Sequence, residues 1–95
     1  MMSSDAESPR VAQIRERLQA ALQPVRLDIV DDSHKHAGHA GAAGGGGHFS
    51  ALIVSAAFEG RRLLQRHRMV YAALGEMMNA DIHAFSMQCR TPEEL

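Results

Sequence analysis

Histidine is the residue type this chain overuses: His34, His36, His39, His48, His67 and His83, six in 95 residues. Neutral imidazole is the commonest metal ligand in proteins and changes charge near neutral pH. Four of the six lie in the stretch from Asp31 to His48. There, His34-x-His36 followed by His36-x-x-His39 can bend several nitrogens toward one ion, and the neighbouring glycines permit the turns this requires. The alternative is that these are polar side chains in a solvated loop, and spacing leaves both readings open. His83 falls at the start of a short strand, where alternation gives it one face with Phe85, Met87 and Cys89. Taken alone, it reads as a structural histidine with a single hydrogen bond. His67, inside an apolar helical stripe, is expected to be partly buried and to donate one hydrogen bond to the backbone.

Other chemistries are thinner. Arg61, Arg62, Arg66 and Arg68 gather at the start of a helix, where anions are already favoured, so they could contact phosphate or simply form a solvated face. Cys89 is the only cysteine. No base or cation is apparent beside it to activate a thiolate, so it reads as a small apolar residue. A lone cysteine also excludes an intrachain disulfide, a zinc ribbon and a ferredoxin-type site. The glycine run Gly44 to Gly47 lacks a following Lys-Ser or Lys-Thr and precedes a strand, so it is not a phosphate loop. No nucleophile elbow or carboxylate pair points to catalysis, and the chain is expected to be non-enzymatic.

The elements that must position these residues follow from periodicity. Residues 1–8 are expected to be a flexible tail, and 9–95 one domain. Ser8-Pro9 offers an N-cap followed by proline at the first helical position. Val11, Ile14, Leu18, Ala21 and Leu22 recur at helical spacing until Pro24 stops them. Val25 to Ile29 alternates as a half-buried strand, and Phe49 to Ser55 is a more uniformly apolar and therefore more central one. The segment between them holds six of the eight glycines. It is too long for a hairpin turn, and the loop from His34 to Gly47 is expected to be mobile. From Gly60, the stripe Leu63, Leu64, His67, Val70, Tyr71, Leu74, Met77 and Met78 predicts one helix running to Asn79. Ile82 to Cys89 is a third strand, and Thr91-Pro92-Glu93-Glu94 has helix-start chemistry. The order α-β-β-α-β predicts a two-layer α+β domain. Its three-stranded mixed sheet should carry the helices on one face, with β1 and β2 antiparallel and the strand after the crossover helix parallel to a neighbour.

Composition is compatible with this. The chain is 45% hydrophobic, lacks Trp, and carries a formal net charge of −1. That charge gives no global attraction to nucleic acid or anionic lipid. An early acidic N-terminus argues against a signal or transit peptide, and no run approaches a membrane span. The expected setting is the reducing cytoplasm, with the protein alone a monomer or weak homodimer.

Four segments resemble the BolA family. They are Leu27 to Ala37 (LDIVDDSHKHA), His48 to Ser55 leading to Phe58-Glu59-Gly60, Gln65 to Leu74 (QRHRMVYAAL), and Ile82 to Ser86 (IHAFS), within a match from about Val11 to Arg90. The resemblance implies a fold similar to class II KH domains and a monothiol (CGFS-type) glutaredoxin as partner. It further implies a shared [2Fe–2S] cluster held by the glutaredoxin cysteine, glutathione and histidine from this chain. The family's C-terminal ligand maps onto His83. Its loop ligand is Cys in one branch and His in another; this loop has no Cys, so the His branch is implied, with His36 the best match and His39 the alternative. The chain departs from the family where Gly44 to Gly47 replaces a Ser-Glu-Ser/Thr stretch before His48. Some bacterial members are described as transcriptional regulators, which keeps open a DNA-binding role for Arg61, Arg62, Arg66 and Arg68. The Gly-x-x-Gly clamp of true KH domains is missing here.

Overall fold

The structure is a computed structural model and describes residues 7–33 and 47–95. His34, His36 and His39 lie outside the described residues, as does the mobility expected of 34–46. The elements are α1 (Pro9–Leu22), β1 (Arg26–Asp31), β2 (Gly47–Val54), α2 (Leu63–Leu74), α3 (Met77–Ala80) and β3 (Ile82–Arg90), with single 3-10 turns at Ala56–Phe58 and Pro92–Glu94. The strand order is β1-β2-β3, with β1 antiparallel and β3 parallel to β2. The more apolar strand is central, as expected.

α1 begins where its sequence dictates. Ser8 Oγ accepts from the Val11 N–H at 3.2 Å, Pro9 fills the first turn, and Val11, Ile14, Leu18 and Leu22 turn inward. This satisfies one of the unpaired N–H groups that every helix start carries. Glu7, at the edge of the expected tail, holds Arg15 through a 2.9 Å ion pair. The α1 stripe meets Phe49, Ala51 and Ile53 from β2, Phe58, Val70 and Leu74, and Ile82 and Cys89 from β3 in one core. Cys89 is buried within it, and burial pushes its thiol up to about 11. It is a packing residue.

The second helix departs from expectation in two ways. It ends at Leu74, because Gly75 takes φ 56 and ψ −129, a conformation costly for any residue with a Cβ. The chain then resumes as the one-turn α3, so the single stripe to Asn79 is two helices. That stripe is also split in depth. Val70, Leu74 and Met77 are buried, whereas Leu63 and Leu64 are each 60% exposed and Tyr71 42%. The buried arc of α2 is completed instead by Arg66, Met69 and Ala73. His67 is half-buried and, among the described residues, makes no backbone hydrogen bond of the kind expected.

Arg66 is structural. Its guanidinium donates to both Glu94 carboxylate oxygens (2.7 and 3.1 Å), to Cys89 O at 3.0 Å and to Arg61 O at 2.9 Å, and lies 5.9 Å from the Phe58 ring centre. Glu94 in turn accepts from the Thr91 N–H, closing the final turn onto β3. Bidentate Arg–carboxylate pairs are strong and geometrically demanding. Arg66 therefore leaves the basic cluster proposed for phosphate contact, and only Arg61, Arg62 and Arg68 of that group are exposed.

The remaining irregularity lies where β2 and β3 begin. Gly47 pairs with Ile82 but His48 pairs with Ala84, so His83 is an extra residue opposite the Gly47–His48 step. Such a bulge is rare in parallel pairs and turns the inserted residue away from strict alternation. His83 consequently does not share the core face of Phe85, Met87 and Cys89; it is exposed, as is Ala84. Gly47, which had been expected in the loop, opens β2 and donates to Asp81 O at 3.0 Å. A Cβ there would stand 2.5 Å from Phe49 Cε2 and 2.9 Å from Ser33 Oγ. Phe49 folds back over this position, so a side chain here would force the ring to shift.

Two outcomes follow from these contacts. Hydrogen bonding to Arg66 and Thr91 lowers the Glu94 carboxyl from 4.5 to about 2. Because the folded-state value is the lower one, its contribution is complete above about 4.5 and is lost as pH falls toward about 2. Glu94→Gln should flatten this acid limb in a plot of melting temperature against pH, and an unchanged limb would contradict the assignment. Gly47→Ala should cost about 1–3 kcal/mol in a urea melt through overpacking and should shift the amide resonances of Phe49 and His83. An isoenergetic variant would show that Phe49 moves aside freely.

Candidate functional site

A short chain of hydrogen bonds fixes the base of the 34–46 segment. The Ser8 hydroxyl donates to Asp31 Oδ2 at 3.4 Å, and Asp31 Oδ1 accepts from the Ser33 N–H at 2.9 Å. Ser33 Oγ accepts from the His48 N–H at 3.0 Å, and the Asp32 N–H donates to His48 O at 2.8 Å. Short polar side chains that bind nearby backbone in this way set the direction in which a chain leaves a strand. Here they tie the N-cap of α1, the end of β1 and the start of β2 into one corner. The two ends of the undescribed segment, Ser33 and Gly47, are held beside His48.

His48 and His83 meet at this corner. Their ring centres are 5.1 Å apart and the rings are tilted by 43°. His48 is half-buried on the sheet face opposite Phe49, and His83 is exposed. Farther along that same face, Ser50 Oγ donates to Asp32 Oδ2 at 3.2 Å. A shallow cavity lined by Asp28, Val30, Ser50, Leu52, Ser86 and Gln88 opens over the middle of the sheet. Among the described residues no third His, Cys, Asp or Glu joins the two imidazoles in a group that could hold a metal ion. His67, on α2, is not part of the corner. What the arrangement offers is two nitrogen donors on hydrogen-bonded strands beside the base of a histidine-rich segment.

His83 was visible in the sequence as a candidate, though on the wrong face of its strand. His48 was not singled out. Its signal was topological: two parallel neighbours begin at the same end of a sheet, so residues that open both strands are brought together. Reading this requires the register of the two strands and the bulge at the Gly47–His48 step.

The profile of the family described as BolA-like protein matches residues 18–94. The chain is 46% identical over 94 residues to "Protein BOLA1, chloroplastic" of Arabidopsis thaliana, covering 96% of this chain and 59% of that protein. It is 42% identical over 81 residues to the "DNA-binding transcriptional regulator BolA" of Escherichia coli, covering 85% and 74% respectively. Among solved structures, the BolA domain of SufE1 from Arabidopsis thaliana superposes with a TM-score of 0.82 at 41% identity, covering 95% of this chain and 100% of that one. This chain thus spans under two thirds of the plant relative's length. No helix among the described residues is long and apolar enough to cross a membrane. By profile, by identity along nearly its whole length and by shared architecture, the chain belongs to the BolA-like family.

Proposed function

We propose that the protein is an adaptor that binds a monothiol glutaredoxin of the CGFS type and co-ligates a [2Fe–2S] cluster with it and glutathione, in cluster trafficking or iron-responsive regulation. The observation that carries this reading is the position of His83. It is an exposed imidazole on a strand bulge, next to a second imidazole and beside the fixed base of a segment containing His36 and His39. Its neighbours Ile82 and Ala84 are both paired with β2, which holds the chain on either side of it, so a nitrogen can be presented at little entropic cost. His36 lies three residues beyond Ser33 in the sequence. Imidazole in place of thiolate lowers the ligand charge and raises the potential of a [2Fe–2S] centre, as in Rieske-type proteins. Neutral nitrogen donors suit a cluster that is passed on rather than kept.

A heterodimer reconstituted with cluster-bearing glutaredoxin and glutathione should show a mixed-ligand visible circular dichroism spectrum. His83→Ala should abolish or strongly alter it, and His36→Ala should weaken it; His39→Ala tests the alternative loop ligand. An unchanged spectrum and cluster half-life in the His83→Ala complex would remove this residue from the site.

A second reading is DNA binding, favoured by the name of the Escherichia coli relative, a DNA-binding transcriptional regulator, and by the exposed Arg61, Arg62 and Arg68. Against a net charge of −1, three arginines support weak, salt-sensitive contact with phosphates, each adding about −0.9 to the slope of log affinity against log salt. Replacing Arg61 and Arg62 with Ala should flatten that slope by about 2. Sequence-specific binding that survives physiological salt would place this reading first.

A further inference from the structure

We infer that the outer edge of β3 is a self-association surface, to which a second copy of this chain adds its own β3, antiparallel, about a two-fold axis at Ser86. With the order β1-β2-β3, both β1 and β3 are edge strands, and edge strands present unpaired backbone groups that attract further strands. The two edges are not alike. β1 carries Arg26, Asp28 and Asp31, and Arg15 of α1 donates to its Leu27 carbonyl at 3.4 Å. β3 runs from Ile82 to Arg90 with no Asp, Glu, Lys or Pro, and no Arg before its last position. Charge and proline are the usual guards of an edge, and most of β3 lacks both.

The direction of each backbone group follows from two contacts. The Arg90 carbonyl accepts from the Ser55 N–H at 2.9 Å, so Arg90 directs its N–H and C=O toward β2. The register is unbroken from Ala84 to Arg90, so Gln88, Ser86 and Ala84 face β2 as well. Phe85, Met87 and Cys89 therefore direct theirs outward, and the Cys89 carbonyl accepts from Arg66 at 3.0 Å instead of from β2. Among the described residues nothing pairs with the outward N–H and C=O of Phe85 and Met87.

A two-fold axis at Ser86 suits these groups. It sets Phe85 opposite Met87 of the second copy, and Met87 opposite its Phe85, so each pair exchanges both hydrogen bonds. The contact is isologous, a form that closes at a dimer. On the helix side the half-buried Phe85 and Met87 side chains meet in a favourable sulfur–aromatic contact. On the open face Ser86 meets Ser86 and Gln88 meets Ala84. Arg90 falls opposite Ile82, so no like charges oppose each other. The small paired area makes this a weak dimer.

Sedimentation velocity on the full chain alone, from about 10 μM to about 1 mM, should show reversible monomer–dimer exchange. Over the same range the Phe85 and Met87 amides should slow in hydrogen exchange by at least about tenfold. Substitutions at the exposed Ser86 leave the core untouched. Opposed Ser86 Cα atoms lie about 4.5 Å apart, within the disulfide range of about 4.4–6.8 Å, so Ser86→Cys should oxidise to a covalent dimer. Gln88→Cys, with Cα atoms roughly 14 Å apart, should not. Cys89 is buried and does not compete. Ser86→Lys sets like charges directly opposite each other and should abolish the dimer. A chain that stays monomeric throughout, with both amides unprotected, would leave the edge to an extended segment of another protein and overturn the self-association. Amides already protected in the monomer, a dimer that survives Ser86→Lys, or equal cross-linking at both cysteine positions would overturn it too. No glutaredoxin, glutathione or cluster enters these measurements, so their failure leaves the cluster-sharing reading standing.

Discussion

Pairing β2 with β3 in parallel forces the chain to travel back across the sheet before β3 can start, and α2 and α3 make that journey. The crossover decides what the core contains. Val70, Leu74 and Met77 from the returning helices cover the same sheet face that α1 covers with Val11, Ile14, Leu18 and Leu22. It also brings the first residues of two strands to one end of the sheet, although 35 residues of sequence separate His48 from His83. An antiparallel pairing would have placed the start of one strand beside the end of the other. The histidine corner is therefore a consequence of the connection, and the bulge refines it by turning His83 out of the core.

The arginines show how local composition misleads about function. Four appear within eight residues and look like one basic surface. Yet Arg66 occupies the buried arc of α2, where its charge is balanced by Glu94 and its donors satisfy the carbonyls of Arg61 and Cys89. A guanidinium can fill such a place because its flat donor fork matches a carboxylate and its faces pack on an aromatic ring. One of the four side chains offered for phosphate instead fastens the final turn to the sheet. Any interaction of this helix with an anion rests on Arg61, Arg62 and Arg68, flanked by the exposed apolar side chains of Leu63, Leu64 and Tyr71.

Much of the fold was legible because local signals and the tertiary arrangement agree. Ser8-Pro9 marked the start of α1, the apolar run of β2 marked a central strand, and Thr91-Pro92 marked the last turn. What was not legible has physical causes. Periodicity placed Val70, Leu74 and Met77 in the buried stripe correctly but added the exposed Leu63, Leu64 and Tyr71, because apolar residues flank an arc that an arginine completes. A lone glycine within a helical pattern is tolerated often enough that Gly75 did not announce a break. Strict alternation placed His83 in the core because a bulge is a property of two strands, invisible in either alone. The partner of His83 was missed for the same reason: His48 is near it only through register.

The glycine run acquires meaning at one position. Phe49 lies across Gly47, whose missing side chain lets β2 start close to both Ser33 and Asp81. The hydrogen bond from the His48 N–H to Ser33 Oγ then sets the distance between the ends of the undescribed segment. A core ring, a glycine and a serine hydroxyl thus define where a histidine-rich stretch leaves and rejoins the sheet, and they do so beside two imidazoles. The pairing of β2 with β3 sets the two rings beside each other at one end of the sheet.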